Sequence, residues 1–397
     1  MTSFKRDFHT DYDLNDPELN DRWDELVPEL HNGCPVAHSN VGEKYWVVNG
    51  YQEAQQVAKD WQTYSSADGF MVNRPEGMPY FAPAESDPPL HNALRRTLEP
   101  FLRPGPSEQL APAIRDHANR LIDSFIDRGE VELVSEFANP LPQMVFGDLI
   151  AGMPYEDMEY LATCFSFVGP EDQRAADFQR GAEKIESYLK ERQQAAPRGD
   201  IVDALLAFEH DGYSWADKVG TMSQLFIGGI TTTGFAFSGG IHHLATHPVD
   251  RKKLTSDLSQ VPRAITEFLR MFTGVFAMAR RVTTDTELAG CPISAGDRVL
   301  LSWGAASRDP RVMSDPDQLD ISRTSSRHLA FGGGVHRCIG SPLALVVLRC
   351  GYEEFLKRIP EFTVPDNFVP AYETGSTRHM VELPLRFTPG NRASDVI

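Results

Sequence analysis

Apolar residues recur every three or four positions along most of this chain and run together or alternate only in short stretches, the pattern of many helices with a few small strands. Strand-like runs are Lys44 to Asn49 and the segment Thr286 to Trp303, which Ala295-Gly296-Asp297 punctuates with a turn. A short amphipathic helix is expected over Gln52 to Lys59. A second opens from Asp87-Pro88-Pro89, and others cover Gln109 to Arg128, Leu133 to Ala151, Tyr155 to Phe167 and Arg174 to Gln194. Ser214 with Asp217 makes the pattern of a capping box, and the spacing carries one long apolar helix from there to about His247, where Pro248 ends it. Its middle, Phe226-Ile227-Gly228-Gly229-Ile230-Thr231-Thr232-Thr233-Gly234, is poor in helix formers, and hydroxyls bonding back one turn can open the ladder there. Pro262 starts another helix, and Leu343 to Leu356 forms the last. Pro370 to Phe387 reads as a terminal hairpin turning at Thr374 to Thr377. From Ser65 to Pro89 the pattern lapses into a segment rich in Gly, Pro and Met, too irregular for core, which is expected to enclose a ligand or run over the surface. Phe165, Phe167 and Phe178 are expected in the core.

No linker or low-complexity tract divides the 397 residues, so one large domain over 1–397 is expected, mainly α with small β-sheets and with a short polar arm over about residues 1–20. A net charge of -18 argues against nucleic acid and anionic membranes as main partners. Met1 to Asp16 is polar and charged, and no stretch reaches the roughly 18 uninterrupted apolar residues of a spanning helix, so a soluble, cytoplasmic chain without membrane insertion is expected. The five cysteines, Cys34, Cys164, Cys291, Cys338 and Cys350, contain no Cys-x-x-Cys pair and fit a reducing compartment better than a disulfide framework or a zinc site.

The chemistry concentrates in Phe331-Gly-Gly-Gly-Val-His-Arg-Cys-Ile-Gly340, which runs into Ser341-Pro342-Leu343-Ala344. Its glycines permit left-handed backbone and close approach of something bulky, and Gly340 is expected to relieve crowding after the cysteine. Cys338 precedes a helix start, whose dipole and whose NH groups at Ile339 and Gly340 favour a thiolate. Cys338 therefore reads as a ligand and not as a reactive surface thiol. His91 and Arg95, four apart, share one helix face and can clamp a carboxylate. Glu267 and Arg270 share a face flanked by Ile265, Phe268, Leu269 and Met271, so their pairing is expected to be buried.

The set Phe331, Gly334, His336, Cys338, Gly340 and Ala344 resembles the haem-ligand loop of the cytochrome P450 family, and the resemblance extends from about Tyr45 to Phe387. It implies the P450 fold, with haem b between the long central helix and the helix after the cysteine, and Cys338 as the iron ligand. Asp87-Pro-Pro-x-His91-x-x-x-Arg95 is similar to the family's propionate-binding segment, and Arg280 matches a further propionate partner, with Arg281 facing outward. Gly228, Gly229 and Thr232 match the oxygen-binding groove. Thr231 stands where the family usually has an acid, and a hydroxyl is a far poorer proton reservoir than a carboxylate. Glu267, Arg270 and Arg323 resemble the structural network that holds the cysteine loop. By the same resemblance the Ser65 to Pro89 loop, with Phe70, Met71 and Phe81, covers the substrate, which Val275, Phe276, Ala277 and Phe226 border; Phe276 is expected to narrow the space above the haem.

The implied activity is a monooxygenase that puts one atom of O2 into a small or medium apolar organic molecule, with electrons from separate ferredoxin and ferredoxin reductase partners meeting a basic surface that includes Arg337 and Arg349. A peroxide-driven or atypical haem-thiolate enzyme is the related alternative. A non-catalytic haem-based ligand binder is the alternative of another class.

Overall fold

Side chains that alternate between two apolar layers build the larger sheet. In a computed structural model, which describes residues 6–74, 78–165 and 171–393, five strands lie in the order Val36–Ser39, Tyr45–Val48, Arg298–Ser302, Ala277–Val282 and Tyr64–Ser65. Tyr45–Val48 and Arg298–Ser302 are parallel, with Trp46 opposite Val299; the other pairings are antiparallel. Val299 and Leu301 point into one apolar layer with Val48, Val57 and Trp303, while Leu300 points into the other with Trp23, Leu26 and Phe276. Trp303, expected at the end of a strand, instead begins a short helix, Trp303–Ala306.

The rest of the molecule is helix packed on helix around the largest apolar cluster. Strand Pro384–Phe387 closes that body by pairing with Glu130–Glu132 and with Phe362–Thr363. The helix expected from Ser214 to about His247 is two segments, Trp215–Ile230 and Thr232–Thr246, because the ladder opens at Thr231. The Thr231 hydroxyl donates back to the Ile227 carbonyl at 3.4 Å and that of Thr232 to the Gly228 carbonyl at 3.2 Å, where two glycines weaken the helix. The capping box at its start is formed in both directions, with Asp217 N 3.3 Å from Ser214 Oγ and Ser214 N 2.6 Å from Asp217 Oδ2. Between Leu133 and Ala151 the winding widens to π-helix over Val134–Ala138 and Val145–Ala151.

Two expectations of exposure fail. The described part of the 65–89 segment buries Phe70, Met71 and Phe81 in the main cluster and is braced by Glu85, which accepts from Arg74 Nε at 3.1 Å and from Phe81 N at 2.9 Å. In the expected polar arm, Phe8, Tyr12 and Leu19 are buried, while Arg6 gathers Asp11, Asp13 and Asp16. Charge pairing at the surface leaves the apolar residues between free to pack inward. Phe165 and Phe178 are buried, their rings 5.4 Å apart, and Phe167 lies outside the described residues. Among the described residues no helix is long and apolar enough to cross a membrane.

Candidate active site

The cysteine loop is held by backbone geometry. Cys338 N donates to the Phe331 carbonyl at 2.8 Å, closing a turn in which Gly332 and Gly334 take φ of 65° and 62°. Gly334 has a second reason to be glycine, since a Cβ there would lie 1.7 Å from the Ala58 carbonyl oxygen of helix Tyr51–Lys59. Gly340 differs from expectation: its φ is -83°, and a Cβ would meet only Cys338 Sγ, at an ordinary 4.0 Å. The following helix is Ser341–Arg358, with Ala344 N bonded to the Gly340 carbonyl at 2.9 Å.

Cys338 is exposed, yet its surroundings are dense enough that desolvation raises its thiol above the ordinary value. Both hold if the sulfur opens into a space inside the fold. Backbone NH groups of Gly340 and Ser341, and the charges of Arg95 and Arg337, oppose the rise. The donors thus sit one residue later than Ile339 and Gly340, because the helix begins at Ser341. Burial outweighs them, so helix and NH groups alone do not favour the thiolate; a coordinated cation would reverse the balance.

Around that sulfur gather the three predicted carboxylate partners, His91, Arg95 and Arg280, together with His336 of the loop itself. His91 and His336 have ring centroids 4.4 Å apart, and Arg95 Nη1 donates to the Arg337 carbonyl at 2.6 Å. Burial, with the charges of Arg280, His91 and Arg95, pushes His336 down to about 2. Buried Arg280 is pushed down to about 10 by desolvation, against the pull of Asp87. Asp87 is the acid that Arg280 feels, and His336 Nε2 is buried with no hydrogen-bond partner. Burial lowers both imidazoles, so the charge here is that of Arg280, buried, and Arg95, half-buried; two guanidinium groups drawn in without an ion pair are costly, and with the imidazole NH groups beside them they suit a ligand carrying carboxylates. The residues present therefore fit haem, a flat group with two propionates and an iron that takes a thiolate.

On the central helix Gly228 is exposed although Phe226, Ile227 and Ile230 are buried, and a Cβ there would meet only Gln224 Nε2 at 4.0 Å. Gly229 is different, because its Cβ would fall 2.5 Å from Phe146. One glycine keeps a space open and the other lets two helices close.

Glu267, Arg270 and Arg323 meet. Arg270 grips both carboxylate oxygens of Glu267, at 2.8 and 2.7 Å, and Arg323 Nε, Asp320 N and Ser326 Oγ complete the shell at 3.1, 3.0 and 2.8 Å. Burial alone would raise Glu267, but Arg270 and the other donors outweigh it and hold the carboxyl below its ordinary range. Removing one partner from so buried a pair typically costs about 3–5 kcal/mol. Arg270 also donates to the Gln318 carbonyl at 3.0 Å and Arg323 to that of Ser314 at 2.9 Å, so the network pins the segment before the cysteine loop.

The expected substrate wall is only partly assembled. Phe276 N donates to the Ser376 carbonyl at 2.8 Å and Val275 bridges Thr377, which brings the terminal turn onto Val275, Phe276 and Ala277. The Phe276 ring, however, packs edge-on against Trp23 at 4.4 Å and is buried in the same apolar layer as Ala277. Phe226 is fully buried between Phe146 and Phe165, each ring 5.8 Å away. Phe70, Phe81 and Phe178 continue the same aromatic chain at 6.2 and 6.0 Å. Neither Phe276 nor Phe226 is placed as expected. Arg281 faces outward, its Nε 3.0 Å from Asp68, and Arg349 is engaged by Glu108 at 2.6 Å. Gly220 was not singled out, and Asp87 was read only as the opening of the His91 and Arg95 motif. A Cβ on Gly220 would lie 1.9 Å from the Tyr80 carbonyl, so the 65–89 segment rests directly on the central helix there; Asp87 accepts from Ser66 N at 3.0 Å and is the acid that Arg280 senses. For Gly220 a glycine within an apolar helix was the available signal.

Comparison with known proteins gives a match of residues 158–374 to the family described as "Cytochrome P450". The chain is 30% identical over 373 residues to mycinamicin IV hydroxylase/epoxidase of Micromonospora griseorubida, covering 90% of this chain and 94% of that one. It is 31% identical to steroid C26-monooxygenase of Mycolicibacterium smegmatis, covering 85% and 86%. A solved structure of a mutant of P450 EryK in complex with erythromycin B superimposes with a TM-score of 0.82 at 26% identity, covering 92% of this chain and 96% of that one.

Proposed function

This chain belongs to the cytochrome P450 family, and on that premise we propose that it is a monooxygenase that binds haem b through Cys338 and puts one atom of O2 into a small or medium apolar organic molecule, with electrons from a ferredoxin and its reductase. The family binds haem and its relatives are named as hydroxylases and monooxygenases. What supports assigning it to these residues is the cluster of His91, Arg95, Arg280 and His336 beside Cys338, with His336 Nε2 buried and without a hydrogen-bond partner. Bound haem supplies the iron at which O2 is activated.

The remaining roles belong to the chain. His91, Arg95, Arg280 and His336 hold the propionates, Cys338 holds the iron, and Phe331, Gly334 and Ala344 shape the support beneath it. Gly228 keeps the groove clear. Thr232 keeps its proton on the Gly228 carbonyl and can release it toward the groove. Val275, with the 374–377 turn, is the surviving candidate for the substrate wall, since Ala277 is buried in the same layer as Phe276. Arg337 supplies the exposed positive charge to which an acidic ferredoxin would dock, whereas Arg349 is already paired. The protein acts as one domain over 1–397 in the cytoplasm.

The test is spectroscopic. Reduced protein under carbon monoxide is expected to show the red-shifted Soret band of sulfur ligation, and Cys338→Ser to lose it while keeping its helix content. An unshifted band in the unaltered protein overturns the assignment. Spin-state titration with terpenes, fatty acids, aromatics, a steroid and mycinamicin IV, followed by product analysis with ferredoxin and reductase, then identifies the substrate class. Thr231 supports a second reading, because its neutral hydroxyl is tied back to Ile227. Turnover with peroxide and none with any ferredoxin system selects a peroxide-driven enzyme instead.

A further inference from the structure

Cys34 and Cys291 lie 257 positions apart in sequence, yet their sulfurs are 3.8 Å apart. Both backbones are fixed by their surroundings. Pro35 beside Cys34 accepts from Asn49 N at 2.9 Å and from Gly50 N at 3.2 Å; Cys291 stands opposite Leu288 in a hairpin whose turn, Ala289 and Gly290, has φ of 52° and 81°. Among the described residues no group of His, Cys, Asp and Glu able to hold a metal occurs, so the pair is not part of a metal site. A disulfide needs sulfurs about 2.05 Å apart, so closing it asks the two side chains to turn toward one another.

We propose that Cys34 and Cys291 form a reversible disulfide, closed by hydrogen peroxide and opened by dithiols. Cys34 is the exposed member and meets the oxidant first. Its thiolate attacks one peroxide oxygen, forming S–O and breaking O–O, and the departing hydroxide takes a proton to become water. The Cys291 thiolate then attacks the Cys34 sulfur, forming S–S and breaking S–O, and a second water leaves. Two electrons pass from the two sulfurs to the peroxide. Burial, the neighbouring Cys34 and the charge of Glu287 raise the Cys291 thiol, which makes it the slower, resolving partner. The bond would tie the entry to strand Val36–Ser39 to the Cys291–Ile293 hairpin.

The experiment treats haem-loaded protein with hydrogen peroxide, alkylates it, and maps peptides by mass spectrometry, with Cys34→Ser as control. Expected are a linked pair of peptides carrying residues 34 and 291, a fall from five free thiols to three in the denatured monomer, full reversal by dithiothreitol, and a higher melting temperature for the oxidised form. Cys34→Ser should keep its four thiols alkylatable and its melting temperature unmoved by peroxide. A Cys34 sulfinate with Cys291 still alkylated, or dimers joined through Cys34, overturns the proposal. The readout does not involve the haem spectrum, so it stands or falls apart from the assignment of Cys338.

Discussion

Thr231 is where one side chain departs most from what its neighbourhood asks of it. It sits at the break in the central helix and spends its hydroxyl on the Ile227 carbonyl, so it is a poor source of protons. Thr231→Asp is expected to raise the product formed per NADH consumed by several-fold and to lower peroxide release in the ferredoxin-driven reaction. Unchanged or lower coupling would count against proton supply as the limitation. Residues of this kind were legible in the sequence because their chemistry demands particular types at fixed intervals: Cys338 after the glycines, Arg95 one turn beyond His91, Arg270 three past Glu267. Phe276 and Phe226 were not. An aromatic ring fits a ligand wall and a core equally well, and only partners distant in sequence, Trp23 for Phe276 and Phe146 for Phe226, decide which way each ring turns.

Elements show the same division. Helices with a regular apolar face and a capping box were readable to within a few residues, as at Ser214. The break at Thr231 was foreshadowed by its glycines and threonines, although continuous apolar spacing still argued for one helix. The 65–89 segment was misjudged because its burial comes from partners distant in sequence, Tyr80 on Gly220 above all, and not from any period of its own. The two adjacent glycines give a test of how the central helix is used. Gly229→Ala drives a Cβ into Phe146 and should lower stability by about 1–3 kcal/mol, read as an earlier urea midpoint. Gly228→Ala meets open space, should leave stability the same or improve it by up to about 1 kcal/mol, and should instead perturb ligand-induced spin shifts. Equal losses from both would mean that Gly228 is packing, not groove.

For the molecule as a whole, half-buried imidazoles contribute to the response to acid. His328 and His379 are each pushed down to about 4, chiefly by burial, whereas an unfolded histidine titrates near about 6.5. Between those values the unfolded chain takes up protons that the folded one refuses, so stability is lost as pH falls from about 6.5 to about 4 and these two groups add no slope above neutrality. Melting temperatures across that range should drop steadily, with a shallower drop in His379→Gln; parallel curves for the two proteins would rule His379 out. Below about 4.5 Glu267, held low by Arg270, adds its own loss. Assembly order follows from the anion cradle. Its four members come from positions 91, 95, 280 and 336, and the body beneath them is closed by pairing residues 130–132 with 384–387. A nascent chain still missing its final quarter would lack the sulfur for the metal and one of the four partners for the pigment's acids. Loading with cofactor is thus an event that crowns synthesis instead of seeding it, and a cell short of haem would accumulate a finished but hollow protein.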